Sequence, residues 1–342
     1  KNNCTEKKLA IIRLDDIGDY LLWRNFIGFY KSSKKYEGYS ITLIGNKVWK
    51  NIFDEYDAES VDFTIWVDKQ KYLNDAAYRL ELWQQIRSQN FETIICPTRT
   101  RPLHIDDSIV LSAGAKNRIA AANSFQFESL NTKSDAHYTQ LFADENDGHE
   151  FFFNRSFAAF TTEKDIEIYS PSIPNVNSNK VEPKRIICFI GAAVKSKTWD
   201  LAYWIALVKL LQQNGYNPLL SGGKNEMQIA DKIIAATDSA SIVGQTNLVE
   251  TMMAIDFAEA VITGDTMAAH AAVSFGKPTI IMANGVNARR FVSYEEAGFL
   301  KVKTIFTQQY LRSQKEIFYS AVSKDMHSIK PSEVFATLQK LL

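Results

Sequence analysis

Arg13-Leu14-Asp15-Asp16-Ile17-Gly18-Asp19 decides the reading of this chain, together with Gly264-Asp265-Thr266-Met267-Ala268-Ala269-His270 in its other half. Each stretch follows an apolar run that reads as a buried strand, Leu9 to Ile12 and Ala260 to Thr263, and each opens a segment of helical periodicity. Polar residues at a strand-to-helix turn stand where open α/β sheets place ligands, beyond the carboxyl ends of the strands. Two such turns in two halves of one chain predict two α/β domains facing each other across a cleft.

The same alternation continues outward from both stretches. Strands are expected at Lys8–Arg13, Ser40–Ile44, Asp62–Val67, Phe91–Cys96 and Asn117–Ala121, separated by helical segments. That spacing indicates βαβ units and a parallel sheet. Residues 122–148 lack a clear period and read as a long loop, and a helix is expected over Glu150–Phe160. The Ser-, Pro- and Asn-rich stretch SPSIPNVNSNKVEP at 170–183 reads as a linker. Alternation then resumes with strands at Arg185–Ile190, Asn217–Ser221, Ser241–Val243, Ala260–Thr263, Thr279–Met282 and near Lys301–Phe306. The expected organisation is a domain over 1–170, a linker over 171–184, a domain over 185–325, and a segment 326–342. The helix of that last segment starts at Pro331, a favourable first position, and is expected to pack back on the first domain.

Composition bounds the function. The 342 residues suit two domains, and 46% hydrophobic with 23% charged residues is ordinary for a soluble protein. A formal net charge of zero argues against a nucleic-acid binder, which carries a basic excess. No apolar run reaches the roughly 18 residues that span a bilayer. Polar Lys1 to Lys8 shows no signal peptide. Cys4, Cys96 and Cys188 make an odd number, and the last two fall in expected strands as small buried hydrophobes, so a reduced, cytoplasmic protein is expected.

Four turns carry candidate chemistry, each with a plainer reading beside it. Asp19, after Gly18, is either a favourable acid in a helix first turn or a general base. Gly191-Ala192-Ala193-Val194-Lys195-Ser196-Lys197 is either a solvated basic loop or a cradle, in which small residues let backbone N–H groups approach an anion and Lys197 adds a charge. It lacks the spacing of a Walker loop. In Ser221-Gly222-Gly223-Lys224-Asn225-Glu226 the paired glycines allow close approach and Glu226 could accept from ribose hydroxyls, while Asn225 could cap a helix. Thr266 and His270 share a helix face at i, i+4 below a helix start that could hold a diphosphate, although a His among alanines is also an ordinary core residue. No D-x-D motif, zinc spacing, G-x-S-x-G elbow or G-x-G-x-x-G fingerprint occurs.

Taken in order, R-L-D-D-I-G-D (13–19), K-x-W (197–199), G-G-x-x-E (222–226), G-Q-T-N-L (244–248) and G-D-T-x-x-x-H (264–270) resemble glycosyltransferase family 9, the heptosyltransferase family of bacterial lipopolysaccharide assembly. The resemblance runs from about residue 8 to residue 285. It implies a GT-B fold, two Rossmann-like domains with parallel sheets facing a central cleft, and inverting transfer from a nucleotide-diphosphate sugar without metal or other cofactor. On that analogy Asp19 is the general base. Lys197 and the amides near Thr266, with Asp265 and Met267 at the same turn, face the departing diphosphate. Gly191, Ala192 and Ala193 line the phosphate loop, Gly222, Gly223 and Glu226 hold the ribose, Thr246 lines the base pocket, and His270 supports the helix start. Two departures stand out: alanines replace hydroxyl residues at 192 and 193, and Met267 replaces a glycine, which leaves heptose or a related sugar as the expected cargo.

Beyond the family pattern, Arg99 and Arg101 follow a strand in the acceptor domain and, with Gly18, are expected to meet an anionic glycan or lipid-linked acceptor; solvated arginines are the alternative. The aromatic stripe Trp23, Phe26, Phe29 and Tyr30, followed by Lys31, Lys34 and Lys35, is either core packing or a membrane-facing edge at the inner face of the cytoplasmic membrane. Competing functions are a nucleotide-sugar epimerase of the same fold and a non-catalytic nucleotide-sugar binder.

Overall fold

The structure is a computed structural model that describes residues 7–124, 127–143, 148–174, 181–192, 194–286, 288–313 and 325–342. Ala193, Cys4 and residues 175–180 of the expected linker therefore lie outside the described residues. Two compact units form, one from Lys1–Asp147 and Phe151–Tyr169, the other from Gly148–Glu150 and Ser170–Leu342.

The first unit is built on strands β1 (Lys7–Arg13), β2 (Tyr39–Asn46), β3 (Phe63–Val67), β4 (Thr93–Cys96), β5 (Asn117–Ala121) and β6 (Gln140–Phe142). They pair in parallel in the order β3-β2-β1-β4-β5-β6. The second unit holds β7 (Arg185–Phe189), β8 (Asn217–Ser221), β9 (Ala240–Ser241), β10 (Ala260–Gly264), β11 (Thr279–Ala283) and β12 (Val302–Phe306), in the order β12-β11-β10-β7-β8-β9. Counted within each unit the order is the same, 3-2-1-4-5-6, the doubly wound arrangement of dinucleotide folds. It reverses direction between β1 and β4 in one sheet and between β7 and β10 in the other. Those switch points are where such sheets receive ligands.

The apolar runs explain the central strands. Leu9, Ala10, Ile11 and Ile12 are fully buried, as are Val261 and Ile262, because a parallel strand covered by helices on both faces has no polar side to show. Cys96 and Cys188 are buried in β4 and β7, where burial pushes each thiol up to about 12, so both pack as small hydrophobes.

Two expectations change, and one pair of alternatives is decided. The stretch read as a long loop contains the helix Glu128–Asp135 and the edge strand β6. That helix buries only Ser134 and the strand has three residues, so neither leaves an apolar period to detect. The C-terminal helix Pro331–Leu341 does not belong to the first domain: Val334, Phe335 and Leu338 lie in the second unit's core with Leu207, Leu211 and Trp204. The stripe at Trp23, Phe26 and Tyr30 is fully buried, so core packing accounts for it, while Lys31 and Lys35 pair with Asp62 and Glu163. No described helix is long and apolar enough to cross a membrane.

Candidate active site

In the second unit the switch point gathers most of the expected residues. The turn after β7 carries Gly191 and half-buried Ala192 and ends in a short 3-10 turn, Lys195–Lys197. Lys197 Nζ donates to Asp265 Oδ2 at 2.5 Å, from the loop after β7 to the loop after β10. A Cβ placed on Gly264 would sit 3.6 Å from the Lys197 carbonyl oxygen, which shows how closely the two loops run. Thr266 caps the helix Met267–Ser274: its hydroxyl accepts from Ala268 N at 3.2 Å and meets Thr263 Oγ1 at 2.9 Å. Met267, half-buried, is the first residue of that helix.

His270 sits one turn further on, buried. Its Nδ1 meets the Tyr294 hydroxyl at 2.5 Å. Burial, outweighing the nearby Asp265 and Glu150 carboxylates, lowers its imidazolium to about 4, so the ring is neutral near pH 7. Behind it Arg290 Nε donates to Glu150 Oε2 at 2.6 Å, and the His149 ring packs 4.5 Å from that of Tyr294. Tyr294, Glu150 and Arg290 were not singled out from the sequence, since nothing in their spacing ties them to His270.

A second cluster adjoins the first through the same β7 loop. Glu226 Oε2 accepts from Gly223 N at 2.9 Å, and a Cβ on Gly191 would lie 3.3 Å from that carboxylate. Glu226 thus closes the turn by reaching back, a role the sequence had left open to Asn225. Gly244 N donates to Gly222 O at 3.1 Å, which ties the turn after β9 to the paired glycines. Gly244 has φ +68° and packs against Met227, so a side chain there would be both strained and crowded. Two residues on, the Thr246 hydroxyl meets Thr251 Oγ1 at 2.9 Å. A groove of about 650 Å³ elsewhere in this unit lies at the opposite end of the sheet, before β11 and β12, and contains none of these residues.

In the first unit the switch point holds the turn after β1. Asn46 Nδ2 donates to the carbonyls of Leu14 and Asp15, both at 3.1 Å, and Trp49 Nε1 to that of Asp15 at 3.2 Å. Buried Arg13 pairs with Asp15 at 2.7 Å and donates to Asn154 Oδ1 at 3.0 Å. This rigid turn delivers half-buried Gly18 and Asp19 to the first turn of the helix Ile17–Trp23. A groove of about 360 Å³ beside it is lined by Asp16, Asn46, Lys47, Asp68 and Lys69 among others.

The loop after β4 corrects one expectation. Arg101 is 1% exposed, and its guanidinium pairs with Asp107 at 3.3 Å and Asp135 at 2.6 Å while also donating to the Thr98 and Ala121 carbonyls. It holds its own loop together and is not presented to an acceptor. Arg99 is also largely buried, with its guanidinium 4.5 Å from the Phe153 ring centroid. Asp106, on the π-helical turn Leu103–Asp107, is buried; burial and the Asp15 and Asp107 carboxylates raise its carboxyl to about 7.

Two doubly wound sheets with polar turns at both switch points define an α/β protein of the GT-B kind. A family model for glycosyltransferase family 9 (heptosyltransferase) matches residues 79–283, and the chain belongs to that family; it is a glycosyltransferase. Among solved structures it is similar to a family 9 glycosyl transferase from Veillonella parvula, with 16% identity, TM-score 0.74, and coverage of 98% of this chain and 97% of that one. It is similar to the E. coli heptosyltransferase WaaC with ADP at 12% identity and TM-score 0.74, covering 98% and 100%. It is also similar to E. coli ADP-heptose lipopolysaccharide heptosyltransferase II at 15% identity and TM-score 0.68, covering 98% of each. Comparison with curated proteins gave no match.

Proposed function

We propose that this chain moves a sugar, heptose or a close relative, with inversion from a nucleotide-diphosphate donor to an anionic cell-surface glycan such as lipopolysaccharide. The observation that carries the reading is the Lys197–Asp265 pair over the start of the Met267–Ser274 helix in a family 9 chain. The E. coli relative solved with ADP makes an adenosine-diphosphate sugar the first donor to test.

In this reading the donor lies along the second unit's switch point. Lys197 and the backbone N–H groups at Thr266 and Met267 take the charge that develops on the leaving diphosphate, the step at which preorganised donors contribute most. Gly191, Ala192 and Ala193 let that diphosphate approach the backbone. Glu226, anchored on Gly223, has a second oxygen for ribose, with Gly222 and Thr246 nearby. Asp19 takes the proton from the acceptor hydroxyl as it attacks the anomeric carbon, and Gly18 and Arg99 border the acceptor. The Arg13–Asp15 pair and Asn46 keep the Asp19 turn in place. Cytoplasmic chemistry, with peripheral contact at the membrane where a lipid-linked acceptor resides, fits this role.

The test is calorimetric titration with ADP, UDP, GDP, CMP and dTDP, followed by transfer from ADP-heptose to heptose-deficient lipopolysaccharide. Selective binding of one diphosphate and acceptor-dependent release of it supports transfer. Release of an altered sugar without acceptor would favour an epimerase instead. Asp19→Asn should bind the diphosphate normally and lose about 10²- to 10⁴-fold in turnover; unchanged turnover removes Asp19 as the base.

A further inference from the structure

Tyr294 is fully buried, edge-on to Phe299 with centroids 5.2 Å apart. Its hydroxyl has one proton to place, and His270 Nδ1 is its sole hydrogen-bond partner among the described residues. Burial holds that proton on the phenol far above its ordinary range. Were Nδ1 itself protonated, the phenolic O–H would be buried with no acceptor, which leaves a desolvated donor unpaired. The O–H therefore donates to Nδ1, and the proton of the neutral ring resides on Nε2. Nε2 makes no hydrogen bond to the described residues.

We propose that Tyr294 is a positioning residue of the donor site: its hydrogen bond locks His270 as the Nε2–H tautomer, so that the imidazole offers an uncharged N–H to the donor's diphosphate. The ligand half of this statement rests on the diphosphate reading above. His270 lies one turn beyond the Thr266 cap, and Asp265, Lys197 and Glu150 all act on its ring, with Tyr294 and Phe291 packed against it. In this arrangement Lys197 supplies charge and His270 supplies direction. A neutral donor grips the phosphate oxygens by geometry, without a second cation to retain the product.

The tautomer is read directly by two-bond ¹H–¹⁵N spectroscopy on the ¹⁵N-histidine-labelled full chain, with His270 assigned by its disappearance in His270→Gln. The expected spectrum has an unprotonated Nδ1 and a protonated Nε2 whose signal moves when ADP is added. A protonated Nδ1 overturns the lock. In calorimetry His270→Gln, whose amide stands in for Nε2–H, should keep ADP affinity within about threefold, whereas His270→Asn and Tyr294→Phe should each weaken it about five- to tenfold. Equal weakening by Gln and Asn, or full affinity in Tyr294→Phe, overturns the proposal. If Tyr294→Phe does not fold, the unsubstituted spectrum still decides. An Nε2–H ring in a protein that binds no nucleoside diphosphate would overturn the diphosphate reading and leave the tautomer standing.

Discussion

Lys197 Nζ and Asp265 Oδ2 are 2.5 Å apart, the lysine side chain 21% exposed and the aspartate 7%. The carboxylate holds the ammonium at the mouth of the second unit's switch point and keeps it from folding back into solvent. Removing the lysine leaves a nearly buried carboxylate without its partner. We expect Lys197→Met to lower stability by about 1–3 kcal/mol and turnover by about 10²-fold or more. Adding Asp265→Ala should restore the stability but not the turnover. Urea unfolding and donor-release assays on the single and double variants check this, and a double variant that regains activity contradicts the role given to Lys197.

Arg101 should matter for folding and not for acceptor recognition. Its guanidinium joins Asp107 and Asp135 in the buried loop after β4. Breaking such a pair from one side costs about 3–5 kcal/mol. Arg101→Met should show that loss in urea unfolding, with acceptor KM unchanged in whatever fraction folds. A raised KM with normal stability would return Arg101 to the acceptor site.

Asp106 should make stability fall as pH rises. Its folded carboxyl titrates at about 7, raised by burial and then by Asp15 and Asp107, against an ordinary 3.8. Between those values the folded protein keeps a proton that the unfolded chain has released, so stability declines from about pH 4 to about pH 7 and then levels. Asp106→Asn should remove this contribution, so that in thermal scans its stability between about pH 4 and pH 7 climbs with pH relative to the unsubstituted protein. An unchanged slope would mean that the carboxyl is ionised in the fold.

His270 should tilt the same curve the other way. Its folded value of about 4 lies below the ordinary 6.5, so the unfolded chain takes up the proton first as pH falls, and stability is lost from about 6.5 downward. The two groups oppose each other over most of one window. His270→Gln should therefore expose the Asp106 decline, and Asp106→Asn the His270 rise. Parallel curves for both variants would contradict the assignment.

Glu226 carries a backbone N–H and, in the proposed function, a ribose. Glu226→Ala should cost about 1 kcal/mol through loss of the bond from Gly223 and weaken the nucleotide about tenfold. A matching variant at Glu250, which caps Asn247 in the same manner outside the candidate site, should lower stability alone. If both variants weaken nucleotide binding equally, the ribose role fails.

Much of this was legible because it is local. Parallel strands buried on both faces announce themselves as apolar runs, and the polar turn after each follows from chain order, so Asp19, Lys197 and the 264–270 turn could be placed from sequence. The Lys197–Asp265 contact itself depends on which strands are neighbours, and only the β7–β10 pairing supplies that. Arg101 misled for the same reason: an arginine beyond a strand end looks available until Asp135, on a polar helix with no apolar period, is seen to meet it. Tyr294 is 24 residues from the histidine it serves, and no pattern between them marks the bond.

Trp199 stands two residues after Lys197, and its indole N–H donates to the Ile329 carbonyl at 3.0 Å, just ahead of the Pro331–Leu341 helix. The segment leading into that helix is thereby wired to the loop that carries the candidate phosphate-binding lysine. Deleting residues 326–342 would therefore disturb the loop of the candidate lysine as well as the core of the second unit, and loss of activity in such a variant would say nothing about the chemistry.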